Sequence, residues 1–197
     1  MSRIFVIMGK SSSGKDTVFS ELCKNKELGL KTVIMYTTRP MRKGETEGKE
    51  YFFTDESRVK EFEKNGKIIE LREYSTVYGI WKYFTADDGQ IDMSGNENYL
   101  IIGTLEAYEK FAGYYGKDKV YPIYIEIDDG IRIRRALERE ERQEIPKYAE
   151  MCRRYLADEE DFSEDKLIEA GITKRYRNII LEDCVKEITG DITKLQN

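Results

Sequence analysis

Apolar residues in this chain fall into short runs of two kinds, set among long polar stretches. Residues 3–8 (Arg3-Ile4-Phe5-Val6-Ile7-Met8), 31–36, 99–102, 120–127 and 178–181 are near-continuous runs, the pattern of strands buried on both faces. The second kind has helical spacing. Val18, Phe19, Leu22 and Cys23 predict a helix over 17–23, and 105–111, a long stretch after 127 up to about 162, and 182–195 read as further helices. Between residues 37 and 88 this alternation breaks. There, 48–53 reads as a turn entering a short strand. Asp55 predicts a cap for a helix over 56–64 that ends at Asn65-Gly66, and 67–73 alternates like a strand. Trp81, Tyr83 and Phe84 read as the core of this segment, and 87–98 as a polar loop. Strands alternating with helices predict an α/β domain: a parallel sheet with helices on both faces, and 37–88 as a small inserted α+β lobe. The chain shows no internal repeat and no low-complexity tract.

The turn between the first strand and the first helix carries chemistry. It reads Gly9-Lys10-Ser11-Ser12-Ser13-Gly14-Lys15-Asp16, two glycines enclosing four residues with a lysine directly after. Glycines allow backbone N–H groups to face inward as a concave anion nest, and the following helix adds its free N–H groups and positive dipole end. Lys15 adds a point charge for the β- and γ-phosphates of a nucleoside triphosphate. The strand before and the helix after supply the context this motif requires. Where the motif usually has a Ser or Thr that binds magnesium, this chain has Asp16, followed by Thr17. A carboxylate can also hold magnesium, directly or through water. Gly9, Ser11, Ser12, Ser13, Gly14, Lys15, Asp16 and Thr17 are therefore the expected nucleoside-triphosphate-binding set, with Asp16 the candidate Mg2+ ligand.

Composition narrows the field. At 197 residues the chain is long enough for one domain with a real core. A net charge of −5 argues against a nucleic-acid binder held by bulk electrostatics. No apolar run approaches the ~18 residues of a membrane span, and the N-terminal run is too short for a signal peptide. Cys23, Cys152 and Cys184 are scattered and odd in number, as expected of reduced cytoplasmic thiols packed against cores. There is no histidine, which excludes histidine acid–base catalysis and histidine metal ligands. Phosphoryl transfer tolerates that absence, since it depends on positioning and charge neutralisation.

Two further basic features stand out. Arg39 and Arg42 flank Pro40 just after the 31–36 run, and forked guanidiniums bind phosphate bidentately. By themselves they fit either a second anion site or a solvated basic turn. Arg132, Arg135, Arg139 and Arg142 recur at helical spacing on one face, which again fits either a solvated face or an anion-binding set. The acidic run Asp158 to Asp161 reads as solvated surface.

The loop at 9–15, then Thr37-Thr38-Arg39-Pro40-Met41-Arg42-Lys43-Gly44-Glu45, Gly48-Lys49-Glu50-Tyr51, Ile68-Ile69-Glu70 and Tyr78-Gly79, taken together in this order, resemble guanylate kinase. The resemblance implies a P-loop kinase fold with core 1–36, 89–138 and 156–197, a monophosphate-binding lobe over 37–88 and a helical lid over 139–155. It implies phosphoryl transfer from ATP, with Mg2+, to GMP and its deoxy form, both small-molecule partners. Arg39, Arg42, Tyr51 and Tyr78 match residues that hold the GMP phosphate. Glu70 matches the carboxylate that accepts from guanine N1 and N2, and an ionised carboxylate does suit that donor edge. Arg135, Arg139 and Arg154 match lid arginines over ATP, although 140–152 is longer than the family pattern. Met35 stands where the family has a guanine-contacting serine, and Ile102 and Thr104 stand where it has two aspartates. A kinase of another nucleoside monophosphate, or a non-catalytic guanylate-kinase-like module, are the alternative readings. The intact phosphate loop counts against the second.

Overall fold

A computed structural model describes residues 1–42, 44–76 and 79–196. The central strand β1 (Arg3–Met8) runs through the loop into helix α1 (Lys15–Lys24). Strand β2 (Leu30–Thr32) follows, then β3 (Tyr36–Thr37), β4 (Phe52–Phe53), α2 (Glu56–Lys64), β5 (Ile68–Thr76) and β6 (Gly79–Ala86). The second half contributes β7 (Asn98–Ile102), α3 (Leu105–Tyr115), β8 (Val120–Glu126), α4 (Asp129–Glu141), α5 (Tyr148–Asp161), α6 (Glu164–Glu169), β9 (Arg175–Arg177) and α7 (Leu181–Gln196).

Five strands form a parallel sheet in the order β2-β7-β1-β8-β9. Side chains of β1 alternate between two cores, as the two-residue strand period requires. Ile4, Val6 and Met8 pack with Tyr99, Ile101, Tyr108 and Phe111 on the α3 side. Phe5 and Ile7 pack with Val18 and Leu22 of α1 and with Cys184, Ile188 and Ile192 of α7. Both faces are covered, which is why β1, β7 and β8 read as continuous apolar runs. Among the described residues no helix is long and apolar enough to cross a membrane.

A second, four-stranded sheet has the order β4-β3-β6-β5. One face packs on α2 through Val59, Phe62, Phe84 and Ala86, with Tyr36 and Leu71 alongside. Helix α2 begins and ends as its sequence predicts. Asp55 accepts the Arg58 N–H at 3.0 Å, and the Gly66 and Lys67 N–H groups return to the carbonyls of Glu63 and Phe62.

Four expectations need correction. The 31–36 run is not one buried strand. Lys31 and Thr32 are exposed on the edge strand β2, and the chain leaves that sheet before re-entering the other as β3. The run is apolar because it bridges two cores: Val33 packs against the first and Tyr36 against the second. Between them the Gln90 side chain stands in for a neighbouring strand. Its Oε1 accepts the Ile34 N–H at 2.8 Å and its Nε2 donates to the Ile34 carbonyl at 3.0 Å. The last strand is Arg175–Arg177 rather than 178–181, with only Tyr176 buried, while Ile179 and Ile180 lie exposed beyond it. The helical stretch after 127 breaks into α4 and α5 ahead of Pro146, which disfavours helix at Ile145 and cannot continue the hydrogen-bond ladder. Of the cysteines, Cys184 is buried, but Cys23 and Cys152 are exposed rather than packed against a core.

Phe84 is fully buried, its ring 5.0 Å from that of Tyr36 and 5.9 Å from that of Phe62. Phe84→Ala is expected to cost about 3–5 kcal/mol in denaturant unfolding. Phe62→Ala in the same chain is expected to add less than its own single cost, because the two rings share one cavity.

Candidate active site

The loop after β1 lies at the carboxyl end of the parallel sheet, where open α/β sheets bind ligands. Its two glycines are sterically required. A Cβ at Gly9 would come 2.5 Å from the Ile125 carbonyl oxygen of the adjacent strand. Gly14 has φ +86°, and a Cβ there would come 2.2 Å from Nδ2 of Asn178. Ser12, between them, also adopts a left-handed φ of 63°. Helix α1 starts directly after Gly14, and no side chain caps its N-terminus. Its first N–H groups are thus left for a ligand. Lys15 stands at this point, its Nζ 3.6 Å from Asp16 Oδ2.

The loop is held from two sides by residues that local sequence does not reveal. Asn178, at the end of β9, donates from Nδ2 to the Ser13 carbonyl at 2.8 Å. From α5, Asp158 Oδ2 accepts the Ser11 N–H at 2.8 Å and Glu159 Oε2 pairs with Lys10 Nζ at 2.8 Å. The acidic run at 158–161 is therefore not plain solvated surface: its first two carboxylates close on the loop. Arg132 explains why they can sit there. It is 1 % exposed, bonds to Asp129, Asp158 and Glu159, and its guanidinium lies 4.2 Å from the Tyr155 ring centroid. A buried arginine with three carboxylates is a satisfied charge.

The arginine stripe splits accordingly. Arg132 serves this network. Arg135 donates from Nη2 to the Asn178 carbonyl at 3.3 Å. Arg139 of α4 and Arg154 of α5 line, with Ser11, Ser12 and Tyr155, a small cavity of about 20 Å³ against the loop. Arg154 is held by Glu150, 2.8 Å from its Nε, and Arg153 binds the same carboxylate. Those two guanidiniums pull the Glu150 carboxyl down to about 2. Arg142 is exposed, its Nη2 3.9 Å from Glu138.

Opposite the α2 side, the second sheet presents a polar face. Arg39 is buried against it, and its fork is bidentate to Glu45 at 2.7 and 2.6 Å. Its guanidinium carbon lies 5.0 Å from the Tyr51 ring centroid, and its Nε has no hydrogen-bond partner among the described residues. The Arg42 backbone N–H also donates to Glu45, at 2.7 Å, while the Arg42 side chain is exposed. The Arg39 guanidinium, and then that N–H, hold the Glu45 carboxyl at about 2. Tyr83 continues the face, its ring 5.6 Å from both Tyr51 and Tyr74, so of the three aromatics read as core only Phe84 is fully buried. Glu70 is buried and takes Arg72 Nε at 3.0 Å and the Thr85 hydroxyl at 3.0 Å. Arg72 also touches the Met35 sulfur at 3.4 Å. Thr104 caps α3 by accepting the Ala107 N–H at 3.2 Å, and Ile102 ends β7 half-buried. Tyr78 lies outside the described residues. A cleft of about 640 Å³ separates this lobe from α3, with Arg72, Tyr74, Thr104, Glu106 and Lys166 among its walls.

A parallel sheet whose central strand delivers a Gly-Lys loop to an uncapped helix defines a P-loop nucleotide-binding fold. Comparison with known proteins is consistent with this class and narrows it. The family model described as guanylate kinase matches residues 1–83. The guanylate kinase of Lactobacillus acidophilus is 39% identical over 71 residues, 36% of this chain and 35% of that protein. That of Caldanaerobacter subterraneus subsp. tengcongensis is 37% identical over 112 residues, 55% of this chain and 52% of that protein. The aligned part of the chain thus spans between a third and about half of the length of these curated relatives. Over the whole chain, the crystal structure of guanylate kinase from Anaplasma phagocytophilum superposes with a TM-score of 0.69 at 20% identity, covering 99% of this chain and 86% of that one. The N-terminal 83 residues are similar to guanylate kinases in sequence, and the whole chain has their fold.

Three outcomes are expected from the loop and the arginine turn. Gly14→Ala is expected to destabilise the fold in thermal melts, and less so in an Asn178→Ala background, where the clashing amide is gone. Asn178→Ala alone is expected to cost about 1–3 kcal/mol, the range for stranding a buried hydrogen-bond partner. For Glu45 the folded-state pKa is depressed, so its stabilisation is complete above the unfolded carboxyl value and is lost as pH falls towards about 2. The melting difference between wild type and Glu45→Gln is expected to be flat above about pH 5 and to close below about pH 4.

Proposed function

We propose that the protein transfers the γ-phosphoryl group of ATP to GMP, giving ADP and GDP. The observation that carries this reading is the meeting of the Gly9–Lys15 loop with Arg139 and Arg154 around Ser11 and Ser12. A lysine, helix N–H groups and two guanidiniums at one point suit the charge that spreads over a phosphoryl group in flight. In this reading Lys15 and the N–H groups of Ser13, Gly14, Lys15, Asp16 and Thr17 cradle the donor phosphates. Arg135, tied to the Asn178 carbonyl, sits at the edge of the same set.

The acceptor phosphate belongs at the arginine turn. Arg39, Arg42 and Tyr51, with Tyr78, would hold it in line with the donor; Arg39 is fixed by Glu45 and Tyr51, whereas Arg42 is free to swing onto it. No general base is called for, since the attacking oxygen is already anionic. That agrees with a chain that has no histidine.

The residues present fit a magnesium ion. Mg2+ is commonly held by one or two carboxylates together with phosphate oxygens and water, and Asp16 supplies an exposed carboxylate beside Lys15. Asp16 would hold the ion, which would supply charge neutralisation to the phosphates. Asp158 and Glu159 now sit on the loop, so triphosphate binding in this reading moves them aside as α5 adjusts. The three free thiols suit an enzyme of the cytoplasm.

Lys15→Ala is expected to lower GMP-dependent ADP formation by about 10²–10³-fold while the circular dichroism spectrum is unchanged. Wild-type turnover in that variant would sink the assignment of Lys15. Absence of GMP-dependent turnover in a folded wild-type protein would sink the reaction.

A further inference from the structure

We propose that Asp158 and Glu159 are built-in competitors of the nucleotide. In the empty protein they hold the cations and the N–H group that a triphosphate takes over, and α5 carries them off when it binds. This rests on the donor site proposed above and goes beyond it by making ATP affinity depend on an exchange of carboxylate for phosphate.

Donors from the loop and from α4 converge on these two side chains. Lys10 Nζ lies 2.8 Å from Glu159 Oε2, and the Ser11 N–H donates to Asp158 Oδ2 at 2.8 Å. Arg132 donates from Nη1 to the same Asp158 oxygen at 3.3 Å and from Nη2 to Glu159. An ammonium, a loop N–H and a guanidinium gathered around anionic oxygens form the kind of environment that binds phosphate. Here the chain fills it with its own acids.

A phosphoryl group does not fit while they stay. The cavity between the loop, α4 and α5 has about 20 Å³, room for about one water molecule. Met151, Arg154 and Tyr155 of α5 form one wall of it. Helix α5 is also the part of these surroundings that is free to move. It has no buried residue, so apolar burial contributes little to holding it. Its fixed end is Phe162, directly after the helix, which is buried against Tyr124. The contacts that tie it to the loop are those of Asp158 and Glu159.

Arg132 makes the exchange self-consistent. It is buried, and a buried guanidinium stripped of its partners is strongly disfavoured. When α5 lifts, Arg132 keeps Asp129, 3.1 Å from its Nε, and phosphate oxygens replace the carboxylates of α5. Arg132 lines the same cavity as Arg139 and Arg154, so it becomes a further donor-phosphate residue. The loop keeps its shape during the exchange, because the Asn178–Ser13 bond holds it from the other side. The cost of releasing α5 is subtracted from the binding free energy of ATP, so weakening the carboxylate contacts tightens binding.

The test is calorimetric titration of the full chain with ATP and Mg2+, without GMP. Asp158→Asn and Glu159→Gln are each expected to bind ATP about 5- to 30-fold more tightly than wild type. Glu160→Gln makes the same change of charge at an exposed position on the same helix and is expected to stay within about 2-fold of wild type. A gain in Glu160→Gln as large as in the other variants would reduce the effect to net charge and overturn the proposal. Weaker or unchanged binding in Glu159→Gln would also overturn it, since the carboxylates would then serve the shape of the loop alone. The Glu159 side chain is 38 % exposed against 15 % for Asp158, so its variant reads the exchange even if Asp158→Asn fails to fold. Absence of ATP binding in wild type and variants alike overturns the donor site itself, a result distinct from the wrong sign in Glu159→Gln.

Discussion

A loop that turns most of its N–H groups towards an anion has few left to hold its own shape. Something else has to fix its shape, and in this chain side chains from distant elements do so. Asn178 takes a carbonyl on one side, while Asp158 and Glu159 take an N–H and a lysine on the other. The buried Arg132 keeps both carboxylates in place. The glycines answer to the same constraint, because Gly14 leaves the space that the Asn178 amide occupies. Around the loop the fold is conventional. Two apolar cores sandwich a parallel sheet, and the helix that follows the loop is stabilised by packing on one of them rather than by a cap.

The second sheet faces two ways, and chemistry follows from that. Its α2 face is apolar and supplies rigidity through the stacked rings of Tyr36, Phe62 and Phe84. Its other face carries Arg39, Tyr51, Tyr83, Arg72 and Glu70. There each arginine is backed by a carboxylate: Glu45 behind Arg39 and Glu70 behind Arg72. Backing a guanidinium in this way fixes its fork before a ligand arrives, which lowers the ordering cost on binding. Among the described residues the Arg39 Nε has no hydrogen-bond partner, so that charge still has unused capacity.

Much of this was legible in the residues, for local reasons. The loop, its glycines and its lysine are a matter of spacing along one turn. The Asp55 cap and the Asn65-Gly66 stop are set within a few residues. What escaped was set by contacts far apart in sequence. Asp158 and Asn178 are ordinary residue types in ordinary settings, and nothing near them points to residues 11 and 13. The run at 31–36 misled because apolarity records burial without saying in which core, and here it serves two. The 178–181 run misled for the opposite reason: Ile179 and Ile180 are apolar yet exposed, and the strand ends before them.

The Asn178–Ser13 bond spans 165 positions and the Asp158–Ser11 bond 147. A ribosome makes the phosphate loop well before its supports. Strand β1 itself needs β7 and β8 on either side before it has a sheet to sit in. While the chain is being synthesised, the nascent protein therefore carries the nucleotide motif without the shape that makes it a site, and gains that shape only when α5 and β9 dock. In this fold the later elements α5 and β9 are what turn an earlier sequence motif into a binding surface.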